Sequence, residues 1–101
     1  MIVTVSSRHM EASPALKEHA EERSKKLQKY YDRIQEIEVV IDAKAGHAVN
    51  VEMIVNGENK NLFIAKEAGE DAYKLIDACV DKLERQLTDH HKKQKNRKHP
   101  A

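Results

Sequence analysis

The sequence predicts an α+β fold: a two-layer sandwich in the order β-α-β-β-β-α, with a four-stranded sheet covered on one face by two helices. Three observations lead there. Apolar residues alternate in four short runs and recur at helical spacing in two longer ones. Cap and turn residues stand at the joints between them. The 101 residues are enough for one domain with one core and too few for two.

The first run, "IVTVSSR" at residues 2–8, is β-branched and alternating, as a strand requires. Ser13 and Pro14 then mark a helix start, because serine accepts from an orphan amide and proline suits the first helical position. Leu16, Ala20, Leu27, Tyr31 and Ile34 recur at helical spacing, which predicts a helix from Pro14 to about Tyr31 or a little further. In "EIEVVIDA" Ile37, Val39 and Ile41 share one face, with Glu38 and Asp42 on the other. "AVNVEMIVN" repeats the pattern with Val49, Val51, Met53 and Val55 against Asn50 and Glu52, so both are strands with one wet face. Gly46 lies in the connection between them, and Asn56-Gly57 predicts a tight hairpin into the next strand, "KNLFIAK". From about Glu70 the helical period returns, with Ala72, Leu75, Ile76, Cys79, Leu83 and Leu87 on one face. "HHKKQKNRKHP", residues 90–100, has no apolar stripe, so residues 90–101 are expected to be a fraying helix end or a disordered basic tail after a domain of residues 1–89.

Composition excludes several classes. No apolar run approaches the roughly 18 residues that a membrane-spanning helix needs, and "MIVTVSSRHME" has neither the basic start nor the apolar stretch of a secretory signal. A cytoplasmic protein is therefore expected. The chain contains no Gly-rich phosphate loop, HExxH, CxxC or Gly-x-Ser-x-Gly, so no catalytic residue, cofactor or metal site is assigned and an enzyme is not expected. The single Cys79 sits on the apolar face of the second helix and reads as a core thiol. His90, His91 and His99, on a cationic segment, make poor structural zinc ligands. Glu38, Asp42 and Glu52 read as a solvated sheet face, since nothing apolar beside them would shift their pKa values.

Charge geometry is what remains. Eighteen basic residues against seventeen acidic ones give +1 overall, but residues 90–101 hold five cations and no acid. Residues 1–89 therefore carry thirteen against seventeen, a net of −4. Lys25, Lys26, Lys29 and Arg33 fall on one side of the first helix, behind the acidic Glu18, Glu21 and Glu22. On the last helix Lys74, Lys82 and Arg85 form one stripe and Asp77, Asp81 and Glu84 another. The basic stripe runs into Lys92, Lys93, Lys95, Arg97 and Lys98, a track suited to a phosphate backbone. Four residues are aromatic, and Phe63 is the candidate for stacking on the sheet; a stacking module wants two or three, so binding to phosphate and shape is expected.

"EDAYKLIDACVDKLERQL", residues 70–87, resembles the signature of the ribosome hibernation-promoting factor family, also called ribosome-associated translation inhibitors. The likeness rests on Asp71, Tyr73, Ile76-Asp77 and Asp81 to Leu87, followed by a basic stretch. "SPALKEHAEERSKKLQKYYDRI" resembles the start of the same family, and the likeness covers residues 1 to about 93. It implies a fold whose later part is shared with double-stranded RNA-binding domains. It also implies binding in the mRNA and tRNA cleft of the small ribosomal subunit, where basic residues on both helices meet ribosomal RNA and idle ribosomes are kept inactive. Long members carry a second, ribosome-pairing domain; this chain is similar to the short type, for which a separate ribosome-dimerising protein is a possible partner. Two other readings fit the fold: a protein-interaction regulator of the sigma-factor-modulator kind, and a generic duplex RNA binder.

Overall fold

The computed structural model describes residues 1–97, with side chains as far as Lys93. Its elements are β1 (Ile2–Arg8), α1 (Pro14–Lys25), β2 (Ile34–Ala43), β3 (Val49–Gly57), β4 (Leu62–Gly69) and α2 (Ala72–Arg97). The α+β order predicted from the sequence is the order found. The sheet runs β1-β2-β3-β4. β1 and β2 are parallel, which demands a crossover, and α1 supplies it. The β2–β3 and β3–β4 pairs are antiparallel. Both helices cover one face, where Ile37, Val39, Ile41, Val51, Met53 and Val55 meet Leu27, Ile76, Leu83 and Leu87. Burying these side chains away from water is the main stabilising term.

Helix α1 starts as expected. Ser13 Oγ accepts from Leu16 N at 3.1 Å and Pro14 opens the first turn. Its end differs from the sequence expectation: the α-helix stops at Lys25 and tightens into a 3₁₀ turn over Lys26–Lys29. Tyr31 and Ile34 are buried like Leu16, Ala20 and Leu27, but Tyr31 lies in the connection and Ile34 begins β2. The apolar spacing outlasts the helix because both the connection and the strand must face the same core. Arg33 therefore stands in the turn before β2, and Glu58 N donates to its carbonyl at 3.2 Å.

The second hairpin is also displaced. Asn56-Gly57 remains in β3, and the chain reverses over Glu58–Asn61, with Asn61 N donating to Glu58 O at 3.2 Å. Asn59 and Lys60 take φ of 60° and 61°, the left-handed pair of a type I′ turn.

Helix α2 is capped by Asp71, whose Oδ1 accepts from Tyr73 N at 3.0 Å and Lys74 N at 3.4 Å. It continues to Arg97, so the backbone of residues 90–97 is helical. Two of its side chains reach the edge strand: Lys82 Nζ lies 3.4 Å from Lys66 O, and Gln86 Nε2 donates to Ile64 O at 3.0 Å.

Candidate nucleic-acid interface

The basic residues singled out in the sequence separate into three groups. Lys25, Lys26 and Lys29 are exposed at the end of α1 and in the 3₁₀ turn, where cations also suit the negative end of the helix dipole. Arg33 is exposed in the following turn, its Nη1 3.3 Å from Glu58 Oε2. It belongs to the β3–β4 corner rather than to the first helix.

On α2, the helical repeat of 3.6 residues brings Lys74, Arg85 and Lys92 within roughly 20° of one another on the outward ridge, and all three are exposed. Lys82 leaves this ridge for the sheet, pairing with Glu67 Oε1 at 2.7 Å. Lys93 is exposed at the end of the described side chains, Lys95 and Arg97 lie on helical backbone, and Lys98 lies outside the described residues.

The acidic stripe of α2 has a partner. Asp77 Oδ1 receives His19 Nε2 at 2.9 Å and Arg23 Nε at 3.3 Å, both from α1. The edge of one ring meets the face of the other between His19 and Tyr73, at 5.1 Å. Further along, the Tyr30 hydroxyl rests on Glu84; that hydrogen bond, with partial desolvation and the charges of Glu84 and Asp81, raises the Tyr30 pKa above its ordinary value. Thus Asp77 ties α2 to α1, and Glu84 lies against Tyr30 just past the 3₁₀ turn. The sequence shows them as one acidic stripe apart from the basic one; the signal it lacked was which side of α2 meets α1.

Tyr30 also lines a cleft of about 400 Å³, together with Lys29, Tyr31, Asp32, Thr88 and His91. It joins the cations at the end of α1 to those at the end of α2. Behind it Tyr31, Phe63 and His90 form a cluster of edge-to-face rings, with centroids 5.2–6.0 Å apart. Two expectations change here. Phe63 points toward the helices and is no stacking platform on the open sheet. His90 is part of the packed body rather than a tail residue, and its Nε2 is buried without a hydrogen-bond partner among the described residues.

Cys79 is buried, with its thiol 3.7 Å from Val51 O, and burial pushes its pKa up to about 12. A thiol so held is protonated at neutral pH and is a packing group. Among the described residues no three of His, Cys, Asp and Glu are placed to hold a metal ion, and no helix is long and apolar enough to cross a membrane.

The opposite sheet face carries Glu36, Glu38, Asp42 and Glu52 in register with Ile54, Leu62 and Ile64. Glu52 pairs with Lys66 at 3.3 Å. Asp42 accepts from His9 at 2.9 Å and Lys44 at 3.1 Å, and these two contacts hold its pKa below the usual carboxylate value. On this face Glu36 and Glu38 lie on β2 and the other two acids are paired with cations, whereas the helix side exposes Lys25, Lys26, Lys29, Lys74, Arg85 and Lys92.

Comparison with known proteins agrees with this architecture. The chain is 35% identical over 96 residues to a ribosome hibernation promoting factor of Escherichia coli, covering 94% of this chain and 98% of that protein. It is 32% identical over 95 residues to one of Azotobacter vinelandii, covering 93% and 86%. A ribosomal subunit interface protein from Coxiella burnetii superposes with a TM-score of 0.81 at 25% identity, over 90% of this chain and 98% of the other. The N-terminal domain of Thermus thermophilus Protein Y gives 0.78 at 27% identity, over 89% and 99%. Residues 3–95 match the model of the family described as Sigma 54 modulation protein / S30EA ribosomal protein. On that match and on relatives more than 30% identical along most of their length, the chain belongs to the Sigma 54 modulation protein / S30EA ribosomal protein family.

Proposed function

We propose that this protein is a ribosome-binding inhibitor of translation that occupies the mRNA and tRNA cleft of the small subunit and keeps idle ribosomes inactive, in the cytoplasm. The observation that carries the reading is the meeting of two cation groups, Lys25-Lys26-Lys29 and the Lys74-Arg85-Lys92 ridge, on the helix side, opposite an acid-bearing sheet. The names of its relatives supply the ribosome as the source of the phosphates. Lys93, Lys95, Arg97 and Lys98 follow Lys92 in the sequence and add charge that the body, at −4, lacks.

Sedimentation with purified small subunits and whole ribosomes across a salt series tests this. The expected result is binding that weakens steeply with salt and is displaced by tRNA and mRNA. Binding that ignores salt would instead support protein-mediated regulation, the reading that the first half of the family's description suggests. Equal affinity for an unrelated RNA duplex would reduce the function to generic duplex binding. Ribosome dimers formed by the protein alone would show that no separate dimerising partner is needed.

A further inference from the structure

The cleft between the 3₁₀ turn and the last third of α2 has the composition of a site for a nucleobase. Its volume, about 400 Å³, lies within the roughly 300–1,000 Å³ range of small-ligand sites. Its lining charges balance, Lys29 against Asp32, and Glu84 and Asp81 beside Tyr30 tip the surroundings toward negative. A phosphate gains little in such a place. A base edge needs donors and acceptors together, and Lys29, Asp32, Thr88 and His91 offer both. The Tyr30 ring lines the cleft and is 36% exposed, which leaves part of an aromatic surface open for stacking. Beyond the lining the balance reverses, with the exposed Lys25 and Lys26 on one side and the exposed Lys92, one helical turn from Thr88, on the other. A strand whose phosphates track these lysines passes over the cleft.

We infer that the cleft takes one unpaired RNA base, stacked on Tyr30 with its edge met by Asp32 and Thr88, while the neighbouring phosphates rest on the rim lysines. This rests on the ribosome-binding reading and adds base contact to an interface that the sequence led us to expect would read phosphate and shape alone.

Two measurements test it. In sedimentation with small subunits, Tyr30→Leu, which keeps apolar bulk without a ring, should bind roughly 5- to 150-fold more weakly at every salt concentration, the range for losing one base–aromatic stack. Its log–log salt slope should stay that of the wild type, because a stack releases no counterion, whereas Lys26→Gln, at the rim, should lose about one unit of slope. Tyr30→Trp should bind at least as well as the wild type. In solution NMR, the Tyr30 ring protons should shift upfield on adding a single-stranded oligoadenylate and not on adding a duplex of the same length. Wild-type affinity in Tyr30→Leu, or ring signals unmoved by saturating single strand, overturns the inference. A wild-type protein that ignores subunits but shows the ring shift refutes the ribosome reading and leaves the base site standing.

Discussion

Gly57 ends β3 beneath the ring of Tyr31, and a Cβ there would stand 2.6 Å from Tyr31 Cε2. Its φ of −108° is open to any residue, so space and not backbone freedom is at stake. Gly57→Ala should displace the ring from Phe63 and His90 and cost about 1–3 kcal/mol, the usual range for overpacking. Denaturant unfolding would show it as a lowered midpoint with an unchanged slope. Adding Tyr31→Leu should return part of the loss, and strictly additive effects would mean that the close approach carries no energy. The same glycine explains why Asn56-Gly57 misled: the dipeptide favours a hairpin, but here its glycine serves a contact 26 positions away in the chain, which local sequence does not reveal. Cys79, by contrast, was legible because its apolar neighbours on α2 share its face. Its thiol should resist alkylation at pH 8 in the folded protein and react at once in denaturant; fast labelling of folded protein would sink the packing assignment. Because the unfolded thiol ionises near its ordinary value of 9 and the folded one near 12, the folded state binds the extra proton between them, and stability should fall as pH rises through that interval.

Helix α2 shows which part of a recognisable motif builds the fold and which part faces outward. Asp71 caps the helix, Asp77 ties it to His19 and Arg23, and Lys82 with Gln86 holds the edge strand. Lys74 and Arg85 take part in no ion pair among the described residues and stand outward. Reversing both to Glu should leave the melting curve near wild type and weaken ribosome binding by a few kcal/mol, since hydrogen bonds to charged groups contribute roughly 1.5–3 kcal/mol each. Lys82→Glu should do the opposite: put like charges beside Glu67, cost up to about 1 kcal/mol of stability, and change binding less. Wild-type sedimentation by the Lys74→Glu, Arg85→Glu protein would leave the ridge as a solvated face. The four strands could be read in advance because alternation survives wherever one face is buried. The end of α1 could not, since Leu27, Tyr31 and Ile34 keep helical spacing after the helix has stopped. Lys82 was misplaced for a related reason: a wheel gives its angle but not the neighbour waiting there.

At the scale of the molecule, charge is sorted by side and by end. The last ten residues, 92–101, contain all five of the terminal cations, whereas His90 belongs to the ring cluster with Tyr31 and Phe63. Two truncations therefore separate effects that a single cut at residue 90 would merge. Ending the chain after His91 should preserve stability, weaken ribosome binding, and make the log–log salt slope shallower by roughly 4 units if every cation meets a phosphate. Ending it after Asp89 should add a loss of thermal stability, because the rings of Tyr31 and Phe63 lose their third member. An unchanged slope in the longer truncation product would mean that the terminal cations do not meet RNA.

The side chains of Lys82 and Gln86 on the carbonyls of β4 also limit how copies of this chain can join. Growth by strand addition needs two open edges on each molecule, so that each newcomer offers a fresh one. Here the outward carbonyls of Ile64 and Lys66 are already engaged, which leaves β1 as the other edge of the sheet. Any pairing through β1 joins like to like about a two-fold axis and closes on itself. An assembly made this way would stop at two copies rather than extend into a fibre.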